Sequence, residues 1–176
     1  KTAPVNVREK LAVPQGSLQD ALETLQSCHG VSECCVLSTC NRTEIYAVTS
    51  RRGGEDAILD FISRYRSIDR AAFEGRVYRC RGDEVVSHLF SVAAGIDSMM
   101  LGEDQIASQV KNAFVVAKEC GSTKIILNTL FQHALKVGKR ARAETGISSG
   151  DLSIGFAAAE LARTILGDLR GRTVLI

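Results

Sequence analysis

Two short runs rich in β-branched and aromatic residues, Glu33–Ser38 and Glu44–Thr49, flank the polar segment Thr39-Cys40-Asn41-Arg42-Thr43. Runs of this length and composition read as strands. Almost everything around them is patterned at helical spacing, which directs the chain to a mixed α+β fold. Leu18, Ala21, Leu22 and Leu25 mark a helix before the first strand, with Ser17 as its N-cap and Gly30 as the left-handed residue closing it. Ile58, Phe61, Ile62 and Tyr65 mark another over about 55–66, after the Gly53-Gly54 break. Arg76–Cys80 reads as a third short strand. With one further strand before Lys1, the order becomes a split β-α-β-β-α-β, ferredoxin-like core.

From Gly82 onward the pattern is helical, with segments expected over 83–94, 103–120 and 124–144. Glu103 and Asp104 stand in a first turn, where carboxylates suit the helix dipole. After a Gly146–Gly150 linker, a long helix capped by Asp151 or Ser153 runs to Leu166. A Gly-containing turn and the run Arg172–Ile176 follow, as at the opening of a dinucleotide-binding unit, although no Gly-x-Gly-x-x-Gly is present. The expected division is a catalytic domain over 1–145, a linker and spinal helix over 146–170, and over 171–176 the first strand of a truncated nucleotide-binding domain.

The chain has 176 residues and a net charge of +2, so a nucleic-acid partner would have to meet a local basic patch. Lys136, Lys139 and Arg140, with Arg142 nearby, form the most basic spot, read either as a solvated face or as a phosphate contact. No 18-residue apolar run is present, so no membrane span is expected, and no secretory leader is visible. Six irregularly spaced cysteines in a chain of this size read as reduced thiols of a cytoplasmic enzyme, and no Cys-x-x-Cys pair suggests zinc.

Cys40 falls in a loop, with Arg42 two residues on and Thr39 and Asn41 supplying hydrogen-bonding groups beside it. That setting suits a reactive thiolate, against the alternative of a small buried hydrophobe, which fits Cys34, Cys35 and Cys120. Arg42 is either a solvated charge or a planar clamp for a carboxylate, and Glu44 shares its strand face. His88 lies near an apolar helical stripe, as a satisfied core residue or a general acid or base. Ser98, Glu103, Gln105 and Gln109 follow, and Gln105, Gln109 and Asn112 form a polar stripe that is either a wet face or a set of substrate-orienting amides.

Ser-Thr-Cys-Asn-Arg-Thr-Glu at 38–44 resembles the signature of the glutamyl-tRNA reductases. Lys1–Pro4 with Arg8–Leu11, Ser87–Phe90 through Gly95–Ser98 and Leu101–Ile106, and Ala134–Thr145 resemble further blocks in that family's order. The resemblance implies reduction of glutamyl-tRNA(Glu) by NADPH to glutamate-1-semialdehyde, the first committed step of tetrapyrrole synthesis. It implies Cys40 as the nucleophile that forms a thioester, Arg42 as the reader of the glutamate carboxylate, and His88 as a catalytic residue. Glu44, Ser98 and Gln105 would surround the pocket. It also implies a homodimer formed through a C-terminal domain and glutamate-1-semialdehyde aminomutase as a channelling partner. Without the nucleotide domain, a chain of this extent is expected not to bind NADPH or complete the reduction. The competing readings are a non-catalytic tRNA- or protein-binding module on the same fold and a redox sensor using Cys34, Cys35 and Cys40.

Overall fold

The strands Val31–Ser38 (β1) and Thr43–Thr49 (β2) pair antiparallel, with Leu37 opposite Glu44, Cys35 opposite Tyr46, and Ser38 opposite Thr43. This computed structural model describes residues 3–50, 53–98, 102, 104–148 and 154–173. The elements in chain order are α1 (Val5–Leu11), α2 (Leu18–Gln26), β1, β2, α3 (Gly54–Tyr65), α4 (Arg70–Phe73), α5 (Asp83–Ala93), α6 (Asp104–Glu119), α7 (Ile125–Glu144) and α8 (Ile154–Leu166).

A lone hairpin is marginal in water, so its stability comes from the helices laid on it. The Cys34 thiol points at the Leu22 carbonyl of α2, on the face covered by Leu18, Ala21, Leu22 and Leu25. Tyr46, on the opposite face, meets Phe131 of α7 edge-on at 5.3 Å between ring centroids. Phe131 in turn stacks on Phe114 of α6. β1 is therefore buried on both faces from Glu33 to Leu37. Each large apolar side chain enclosed this way contributes roughly 1.5–3 kcal/mol. The outer edge of β1 is also covered: Cys34 N–H donates to the Ser122 carbonyl at 2.8 Å, and Ser122 Oγ donates to the Cys34 carbonyl at 2.9 Å. An edge closed by the main chain cannot recruit another strand there.

Glu33, buried on β1, reaches the start of α7. Its Oε2 accepts from Lys124 N and Leu127 N, and its Oε1 from Ile126 N. A carboxylate at that point satisfies amides that have no intrahelical partner and complements the positive end of the helix. Ser17 stands at the N-cap of α2 as expected, but a 3-10 turn over Gln15–Ser17 leads into the helix and its hydroxyl makes no capping bond.

The third expected strand, Arg76–Cys80, is not formed. A 3-10 turn occupies Glu74–Arg76, and Val77–Arg81 runs on without a strand partner, so the sheet of the described residues is two-stranded. The α+β class holds, while the split β-α-β-β-α-β core is not what the described residues form. The short helix α4 was not anticipated; Asp69 caps it by accepting from Ala71 N. Gly146–Ser148, read as linker, is a 3-10 turn. The cap of α8 and the terminal run Val174–Ile176 lie outside the described residues. None of the helices among them is long and apolar enough to cross a membrane.

Candidate functional site

The reversal between β1 and β2 is closed by Thr39. Its N–H donates to the Arg42 carbonyl at 2.8 Å, and its Oγ1 accepts from Asn41 N and Arg42 N, both at 3.2 Å. Cys40 is thereby held at the tip, exposed. Asn41 Oδ1 accepts from Arg8 Nη1 of α1, and Ser38 Oγ accepts from Val13 N, so the N-terminal segment braces the reversal at two points. Cys28, Cys80 and Cys120 are half-buried. Cys34 and Cys35 are buried, and burial pushes the Cys34 thiol up to about 12 and Cys35 higher still.

Arg42, Glu44 and Tyr46 alternate along the chain and share one face of the hairpin. Glu44 is the hub. Its Oε1 accepts from Arg42 Nη1 at 3.0 Å, from Tyr78 Oη at 2.6 Å and from His88 Nε2 at 3.0 Å; its Oε2 accepts from Tyr46 Oη at 2.6 Å. Burial on its own would raise the Glu44 carboxyl. The hydrogen bonds from His88, Tyr46 and Tyr78, together with the Arg42 charge, outweigh it and bring the group down to about 2. Glu44 is therefore a permanent anion at neutral pH, which orients other groups and carries no proton. Burial and the Glu44 carboxylate hold the Tyr46 and Tyr78 hydroxyls protonated, with ionisation pushed well above the phenol range.

This network assigns the His88 tautomer. A carboxylate oxygen only accepts, so Nε2 carries the hydrogen that meets Glu44, and Nδ1 is the nitrogen left to exchange a proton. Nδ1 lies 3.8 Å from Asp97 Oδ2, and the ring meets that of Tyr78 edge-on. His88 is thus neither a solvated nor a core histidine; it is half-buried on α5 and partnered.

Asp97 completes the cluster. The chain turns at Gly95, whose φ is +78°, and Ile96 N and Asp97 N both return to the Ser91 carbonyl. Arg142 of α7 donates to the Ala93 carbonyl at 3.0 Å and so ties down the end of α5. In that position Asp97 Oδ2 lies 3.4 Å from Arg42 Nη1, and its main-chain carbonyl accepts from Arg42 Nη2. Arg42 is consequently not an open fork. A ligand carboxylate would reach it only in competition with Asp97.

Of the residues singled out from sequence, Arg42, Glu44 and His88 converge, with Thr39, Cys40 and Asn41 forming the adjoining reversal. Ser98 donates to the Gly95 carbonyl at 3.1 Å beside Asp97. Gln105 is exposed on α6, and Gln109 with Asn112 lines a small cleft against Ser38 and Leu37. Glu103 lies outside the described residues. The basic spot on α7 divides: Arg140 pairs with Glu144, Arg142 turns inward, and Lys136 and Lys139 are exposed. Tyr46, Tyr78 and Asp97 were missed. The alternation linking Arg42 to Glu44 extends to Tyr46 and could have found it; no local signal marks the other two.

Comparison with known proteins decides the family. A family model described as the N-terminal domain of glutamyl-tRNAGlu reductase matches residues 1–145. The chain belongs to this family. It is 51% identical over its full length to a glutamyl-tRNA reductase of Pelotomaculum thermopropionicum and 48% identical to that of Desulforudis audaxviator, covering 40% of each. The solved glutamyl-tRNA reductase of Methanopyrus kandleri superposes with a TM-score of 0.71 at 38% identity, over 93% of this chain and 37% of that one. The chain thus spans less than half the length of the relatives it matches.

A dinucleotide cradle needs a parallel strand–helix–strand unit with a glycine-rich turn feeding a helix. The described residues contain one antiparallel hairpin and no parallel strand–helix–strand unit. They do not fit NADPH.

Proposed function

We propose that this chain is the part of a glutamyl-tRNA reductase that receives the glutamyl group, with Cys40 as the acceptor. The supporting observation is the exposed Cys40 at the tip of a braced reversal, adjoining the Arg42–Glu44–His88 cluster, in a chain that matches the family's N-terminal domain. The domain reading follows: 1–145 catalytic, 146–170 linker and spinal helix, 171–176 the first strand of a nucleotide domain. The whole protein would carry out NADPH-dependent reduction of glutamyl-tRNA(Glu) to glutamate-1-semialdehyde in the cytoplasm, as a homodimer that passes product to the aminomutase.

The step that Cys40 performs is acyl transfer. The Cys40 thiol loses its proton, and the thiolate attacks the carbonyl carbon of the glutamyl ester. A C–S bond forms, the ester C–O bond breaks, and the ribose oxygen of the tRNA leaves with a proton. The role of carrying that proton falls to His88 of the Glu44 cluster, on Nδ1, its other nitrogen being fixed by Glu44. Thr39 and Asn41 hold the reversal; Ser98 supports the Asp97 turn, and Gln105 and Gln109 border the approach from α6. Arg42 would take the glutamate carboxylate only as Asp97 yields. The test is incubation with glutamyl-tRNA labelled in the glutamyl group. The wild-type chain should acquire thiol-labile label and Cys40→Ser should not; equal labelling of the two would remove Cys40 from the chemistry.

A further inference from the structure

We infer that Arg8 is a second, open cation beside Cys40, which receives an oxyanion of the substrate. This rests on the acyl-transfer reading for the identity of the ligand, though not for the existence of the site. Arg42, the cation nearer in sequence, already lies between Glu44 and Asp97 and also donates to the Asp97 carbonyl. Arg8 differs in each respect. Its Nη1 donates to the side chain of Asn41, the residue after the nucleophile, at 3.1 Å. Among the described residues no carboxylate pairs with it, and its Nε is buried without any hydrogen-bond acceptor.

A half-buried guanidinium with an orphaned donor and no counter-charge is costly to retain, and such groups call for an explanation in function. The surroundings hold it in place. It sits near the end of α1, and the segment that follows is pinned to the same reversal by Val13 N donating to Ser38 Oγ. The partner Arg8 lacks is a planar or tetrahedral oxyanion. Glutamyl-tRNA offers two near the ester: the side-chain carboxylate of the glutamyl group and the phosphates of the tRNA end.

The first arm uses no tRNA. Cys40 in the chain is alkylated at low salt with iodoacetate, which is anionic, and with iodoacetamide, which is neutral, and modification is mapped by mass spectrometry. Arg8→Met should lower the iodoacetate-to-iodoacetamide rate ratio at Cys40 about fivefold, the order expected from losing one nearby unit charge. The iodoacetamide rate should stay close to wild type. Met fills the space without leaving an orphaned donor, so the thermal midpoint should move little; if it does not fold, Arg8→Gln is read in its place. An unchanged ratio overturns the inference. The second arm compares acyl transfer from glutamyl-tRNA and glutaminyl-tRNA. If the ligand is the carboxylate, the variant loses about tenfold or more of its preference for the glutamyl form. If it is phosphate, both substrates slow equally and the salt slope falls by about one. Unchanged rates with both overturn the ligand assignment. Failure of the wild-type chain to accept any acyl group, with the alkylation ratio still responding to Arg8, rejects the acyl-transfer reading and leaves the open cation established.

Discussion

Replacing Glu44 by Gln removes the charge at the hub while keeping its shape. The carboxyl is held at about 2 against an ordinary 4.5. At 1.36 kcal/mol per pH unit, that displacement makes the ionised form worth about 3 kcal/mol of folding stability. The sign follows from the direction. A group whose folded pKa lies below its unfolded one stabilises fully above pH 4.5, and its contribution disappears as pH falls towards 2. The Gln side chain resembles the protonated carboxyl, and its amide also places a donor where Tyr46 Oη now donates. At pH 7 Glu44→Gln should therefore lose about 3 kcal/mol, or roughly 6–12 °C in thermal midpoint for a chain of this size. Urea unfolding followed by circular dichroism, at steps from pH 7 to pH 3, measures both proteins. Other carboxylates titrate in each, so the difference between the two curves isolates Glu44. The gap should narrow as the solution is acidified. A gap below about 1 kcal/mol at pH 7, or one that stays constant down to pH 3, would refute the hub as described.

Gly138→Ala should destabilise the chain by about 1–3 kcal/mol, because a Cβ there runs into the Ala93 carbonyl where α7 crosses α5. His88 lies on the displaced helix, so its ring resonances in NMR should shift; an unchanged melting curve with unmoved histidine signals would contradict the close crossing. Glu33→Gln weakens the cap of α7 and should cost about 1–2 kcal/mol. Hydrogen exchange at Lys124, Ile126 and Leu127 should accelerate in that variant more than exchange elsewhere in α7, and uniform protection would show that the carboxylate does not hold those amides.

The hairpin and its tip were legible because their signals are local. β-branched composition marks both strands, and a period of two places Arg42 beside Glu44 whatever the rest of the chain does. The same local reading misplaced Arg76–Cys80. Val77 and Tyr78 have strand propensity, but propensity does not supply a neighbour, and Tyr78 instead spends its hydroxyl on Glu44. His88 looked like a core residue because Val85 and Leu89 flank it; only the hairpin brought against α5 gives it a carboxylate. Asp97 is the clearest case of what spacing cannot reveal. Its role depends on the turn at Gly95 and on contact with a residue far earlier in the chain. Arg8 is another, since nothing in the first ten residues announces that Asn41 will be its neighbour.

Cys34 and Cys35 are adjacent in sequence, yet the strand aims one at α2 and the other at the Tyr46 side of the sheet. A peptide plane stands between them, and helices close off both sides. Of the three sulfurs carried by the hairpin, an oxidant arriving from solution would therefore meet only the one at the tip, and no neighbouring thiol along the strand could turn the damage into a crosslink.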